Sequence, residues 1–75
     1  MIGEMRTMDG TGDTKVTWDT EKPAEVEAAR KTFYSLKKQG YAGYRVTRGG
    51  EKDEILHEFD PHAGLLIMAP PMVGG

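Results

Sequence analysis

The chain contains no cysteine, which excludes disulfide staples and thiolate chemistry. It has one tryptophan and two phenylalanines, so any core is organised around very few large side chains. No window approaches the roughly 18 apolar residues that a membrane-spanning helix requires. The first residues also lack the basic and apolar regions of a secretory leader. The expectation is a soluble, cytoplasmic protein with no membrane association. Charge of neither sign dominates: 10 basic residues face 12 acidic ones, for a net charge of -2, and this balance argues against nucleic acid as a partner. Catalytic signatures are missing as well. Gly10-Thr11-Gly12 precedes a strand-like run and lacks the following lysine of a phosphate loop. Ser35 falls on a helical run distant from both histidines. Seventy-five residues leave little room for a closed pocket. We therefore expect neither an enzyme active site nor a cofactor.

What the chain does have is one strongly apolar run near its end, Leu65-Leu66-Ile67-Met68-Ala69. Both alternating sets of positions are apolar, as in a central strand covered on both faces. Pro70 and Pro71 then stop it, because proline cannot donate a ladder hydrogen bond.

Upstream, Thr14 to Asp19 alternates, with Val16 and Trp18 on one side and Lys15, Thr17 and Asp19 on the other. Trp18 is read as the core anchor. A helix follows. Asp19 or Thr20 is a suitable cap, and Pro23 fits the first turn. Val26, Ala29, Phe33 and Leu36 recur at spacings of three and four and form one apolar stripe. Glu25 and Glu27 near its start, and Lys37 and Lys38 near its end, suit the helix dipole. Glu27 and Lys31 are spaced for an i,i+4 pair. Gly40 ends the helix. Tyr41 to Arg48 and Glu54 to Phe59 then read as two strands joined by a loop over residues 49–53, with Ile55, His57 and Phe59 sharing a face. Residues 60–64 turn the chain into the apolar run. Residues 1–13 read either as an N-terminal arm or as a weak first strand, residues 14–70 as a single domain and residues 71–75 as a tail. The fold class expected is α+β, with one helix packed on a mixed sheet of four or five strands.

Two clusters invite a functional reading. From Arg30 to Gly50 the chain carries six basic residues and no acid. Of these, Arg30, Lys37, Lys38, Arg45 and Arg48 form the candidate surface for docking a protein. His57, Glu58, Asp60 and His62 offer metal-ligand atoms, but on a strand followed by a turn their spacing does not make them converge. His57 between Ile55 and Phe59 reads as a core or boundary histidine.

The third cluster is the ending Pro70-Pro71-Met72-Val73-Gly74-Gly75. A carboxylate that must enter a narrow enzyme channel needs an extended, unencumbered backbone before it, which is what glycine supplies. Two prolines hold the approach stiff. This ending, after an apolar strand, resembles the tail of the β-grasp sulfur carriers, and more loosely that of ubiquitin-like modifiers. The resemblance implies a β-grasp fold with a central last strand. It also implies that Gly74 and Gly75 are the site of thiocarboxylation or conjugation, with an adenylating enzyme as partner and a monomeric carrier. It covers only the last ten or so residues and the inferred strand order. The competing reading is a non-catalytic interaction module, for example an accessory protein of a phage or mobile element, in which the two glycines are incidental.

Overall fold

A computed structural model describes residues 1–9, 12–46 and 52–71 of the chain. Its elements run β1 (Ile2–Asp9), β2 (Gly12–Asp19), α1 (Pro23–Lys38), β3 (Ala42–Val46), β4 (Lys52–Leu56) and β5 (Leu65–Ala69). They form an α+β domain in which one helix packs on a five-stranded mixed sheet of order β2-β1-β5-β3-β4. β5 lies in the middle, parallel to β1 on one side and antiparallel to β3 on the other. The chain therefore places its most apolar strand where both edges are hydrogen-bonded.

The first strand exists and pairs with β2 over eight positions, from Ile2 opposite Asp19 to Asp9 opposite Gly12. Its weak sequence pattern has a physical cause: the buried positions include Gly3 and Thr7, while Ile2 and Met8 are exposed, and Gly3 pairs with Trp18. A Cβ at Gly3 would stand 2.3 Å from Cε2 and Cζ2 of the Trp18 indole, so the ring lies directly on bare backbone. Gly43 on β3 plays the same part for Phe33, whose Cε2 would be 2.8 Å from an added Cβ. Met5, Trp18, Ala29, Phe33, Leu66 and Met68 are completely buried between sheet and helix. Val16, Val26, Leu36, Tyr41, Leu56, Phe59 and Ala63 pack around them.

The helix carries the expected stripe, and Pro23 occupies its first turn. Its cap differs from expectation. The N-cap is Lys22, with no side-chain cap, because Asp19 and Thr20 belong to the turn before it. There the Asp19 carboxylate accepts the Glu21 N–H at 2.9 Å, and the Asp19 carbonyl accepts the Lys22 N–H at 2.9 Å. Glu25 reaches back to accept the Asp19 N–H at 3.0 Å, which ties the first helical turn to the end of β2. At the other end Gly40 adopts φ +100. The Gly40 N–H donates to the Lys37 carbonyl and the Tyr41 N–H to the Leu36 carbonyl, each at 3.0 Å. This double closure satisfies carbonyls that the helix itself cannot pair. Glu27 pairs with Arg30 at 2.8 Å, three residues on, instead of with Lys31.

The fourth strand ends earlier than its alternation suggests, while the expected end of the third, Thr47 and Arg48, lies outside the described residues. β4 ends at Leu56, and His57 to Phe59 leave the ladder. Ile55 is 54 % exposed and His57 is exposed, so neither belongs to the core. Leu56 and Phe59 pack against the core in their place. The segment from His57 to Gly64 crosses beside the helix. The Phe59 ring meets Trp18 edge-on at 5.1 Å and Phe33 at 5.7 Å. The Trp18 indole N–H donates to the Pro61 carbonyl at 2.9 Å, so the one polar atom of the anchor is satisfied where the ring is buried.

We expect Gly3→Ala to destabilise the domain by about 2 kcal/mol or more, since overpacking a filled core displaces either the ring or the backbone. In urea unfolding, Trp18→Phe should remove part of that penalty in the double variant, because a smaller ring leaves room for the methyl. An additive double-mutant cycle would contradict the contact.

Candidate functional site: the root of the tail and the open sheet face

β5 delivers the chain to Pro70 and Pro71, both exposed. Pro71 lies over the helix end: a Cβ on Gly40 would sit 3.4 Å from Cβ and Cγ of its ring. Gly40 thus ends α1 through its left-handed conformation and also faces the root of the tail. Pattern reasoning finds the first role, because a glycine after a helical stripe is a stop signal. It misses the second, which depends on two elements meeting in space. Gly74 and Gly75, the candidate conjugation residues, lie outside the described residues.

The two faces of β5 differ. Leu66 and Met68 are completely buried beneath α1. Leu65, Ile67 and Ala69 are half-buried on the other side, where the sheet faces outward. This revises the expectation that the last strand is covered on both faces: a single helix can cover only one side of a sheet. Cross-strand registers extend the open face in a row from Ile55 through Tyr44, Ile67 and Arg6 to Lys15. Its β5, β3 and β4 part is apolar, comprising Ala42, Tyr44, Ile55, Leu65, Ile67 and Ala69. Its β1 and β2 part is mixed: Glu4, Arg6, Lys15, Thr17 and Asp19 share it with the exposed side chains of Ile2 and Met8. The Glu4 carboxylate accepts a hydrogen bond from Arg6 Nε.

The basic residues do not gather on this face. Arg30 donates two hydrogen bonds from Nη2 and one from Nε to the Glu27 carboxylate. That hydrogen bond and the neighbouring charge raise the guanidinium pKa above its ordinary value. Lys37 Nζ donates to the His57 carbonyl at 2.8 Å, and Tyr34 accepts the Phe59 N–H at 3.3 Å, so the helix itself holds the crossing segment. Lys38 is exposed in the last helical turn. Arg45 pairs with Glu54 at 3.2 Å across β3 and β4. Arg48 lies outside the described residues. A shallow groove of about 500 Å³ runs along residues 55–61. Among the described residues, no three His, Asp or Glu side chains come together as metal ligands. No helix among them is long and apolar enough to cross a membrane.

Gly40→Ala should cost about 1 kcal/mol or more, since an L side chain is strained at that φ. Gly40→Asn should cost less, because asparagine tolerates the left-handed region. Thermal unfolding of the two variants checks this, and equal midpoints for wild type and Gly40→Ala would contradict it.

In comparisons of the chain with protein-family models, curated proteins and solved structures, none matches. Geometry alone therefore carries the assignment of shape: the helix and the strand order are consistent with the broader β-grasp form.

Proposed function

We propose that the chain is a β-grasp-like carrier or modifier that acts through Gly74 and Gly75, and is itself no enzyme. The observation that carries this reading is the central placement of β5 directly before Pro70 and Pro71. A strand hydrogen-bonded on both edges is a firm base. Two prolines after it favour a stiff, extended backbone, and glycines place no side chain in the way of a carboxylate at Gly75. An adenylating partner enzyme would supply ATP. Attack of the Gly75 carboxylate on the α-phosphorus releases pyrophosphate and forms an acyl adenylate. Hydrosulfide or an amine then attacks the acyl carbon and displaces AMP, giving a thiocarboxylate or an amide. The open face around Tyr44 and Ile67 is the surface such an enzyme would recognise, because it adjoins β5 without obstructing the tail. The protein needs no cofactor of its own in this scheme.

A second reading rests on that same face. A half-exposed apolar sheet suits a non-catalytic interaction module, in which the glycines have no chemistry.

Intact-mass measurement of the protein purified from its own host separates the two. The carrier reading expects a species heavier by one oxygen-to-sulfur exchange at the Gly75 carboxyl, or a conjugate through it, and expects its loss when Gly75 is deleted. An unmodified Gly75 carboxyl as the sole form in the host would overturn it in favour of the interaction module.

A further inference from the structure

We propose that the open face of the sheet is the contact surface of a symmetric homodimer. The chain is apolar on both sides of β5, yet covers one side only. Leu66 and Met68 are fully buried, whereas Leu65, Ile67 and Ala69 remain half-buried. Together with Ala42, Tyr44 and Ile55 they form a continuous apolar area over three neighbouring strands. Water in contact with such an area is released when a second apolar surface covers it.

The charge pattern selects the occupant. Among the described side chains beside the apolar area stand two acids, Glu4 and Asp19, and two bases, Arg6 and Lys15, with Glu4 and Arg6 already paired to each other and the exposed Ile2 and Met8 next to them. A face of this kind offers no excess of either sign to attract a polyanion or a strongly charged protein. It does fit a copy of itself, because a two-fold axis sets the same patch against itself without like-charge excess. Two sheets stacked in this way sit about 10 Å apart with their side chains interleaved.

Size supports a weak dimer. Strands about 4.8 Å apart and rising about 3.3 Å per residue give five strands of five residues a projected face of roughly 400 Å². Two copies would bury on the order of 1,000 Å² once side-chain relief is counted, which is the lower bound for a specific interface. The monomer expected from the sequence would be the dilute form. The same face is the one proposed for recognition by an activating partner, so dimer and partner complex would compete. The dimer itself does not depend on the tail chemistry, and deletion of Gly74 and Gly75 should leave it intact.

Sedimentation equilibrium of the full chain from about 1 μM to about 1 mM tests the proposal. The expected result is a rise from 8.3 kDa toward twice that mass. Ile67→Lys and Ile55→Lys should each raise the dissociation constant about tenfold or more, while Lys31→Glu on the helix leaves it unchanged. Ile55 is 54 % exposed at the margin of the face, so its variant keeps the test decisive should Ile67→Lys fail to fold by circular dichroism. A single 8.3 kDa species at every concentration overturns the homodimer and leaves the face to a different protein. A dimer undiminished in the folded lysine variants also overturns it, by placing the contact elsewhere.

Discussion

The contact on which the rest of the structure depends is the seating of the Trp18 indole on Gly3. Full burial of a ring that size contributes on the order of 4 kcal/mol in a domain whose whole stability is of the order of 5–10 kcal/mol. It is possible only because the neighbouring strand presents no Cβ there. Trp18 in turn organises its surroundings. Phe59 meets its edge, the Pro61 carbonyl accepts its N–H, and Phe33 reaches the same cluster from the helix. β1, β2 and the segment before β5 are thereby joined through one side chain, and Phe59 links that segment to Phe33 on the helix. The six fully buried hydrophobic side chains among the described residues are few, and each is correspondingly important.

The same economy explains the open face. One helix and one crossing segment suffice to close a single side of a five-stranded sheet. Among the described residues there is no second helix to close the other. Half-buried Tyr44, Ile67 and Leu65 follow from that layer count, and they give the molecule a surface to offer. The tail leaves from the same central strand, with Pro71 beside Gly40 at the helix end. A central strand, an apolar face and the two prolines at the root of the tail thus adjoin one another, and this arrangement supports the carrier reading.

Much of the fold was legible in the sequence. The i, i+3, i+4 stripe from Val26 to Leu36 identified the helix, and the doubly apolar run at residues 65–69 marked the central strand. Other features were not legible, for identifiable reasons. Alternation of Ile55, His57 and Phe59 imitates a strand, but the chain leaves the ladder after Leu56 so that Phe59 can reach Trp18. Asp19 has a capping side chain, yet the tight turn from β2 engages it locally. Residues 1–13 read only as an arm or a weak first strand, and the cross-strand partner of Gly3 reveals why glycine stands there. The apolar pattern of β5 indicated what tends to be buried, but not whether this chain does the burying. For the site, the candidate cations were visible as a run in sequence, whereas their engagement by Glu27, Glu54 and the His57 carbonyl depends on folding. The glycines at 74 and 75 were legible as residues and lie outside the described structure.

The account stands or falls on β5 being the interior strand of the sheet. Residue-resolved amide hydrogen exchange measures this most directly, since interior ladder bonds open only with the whole domain while edge strands open locally. The account predicts that Leu66, Ile67 and Met68 exchange among the slowest amides of the chain, together with their neighbours on β1 and β3, and well behind those of β4. Exchange of Leu66 to Met68 as fast as that of β4 would place β5 at an edge. The firm base for the tail would then be lost.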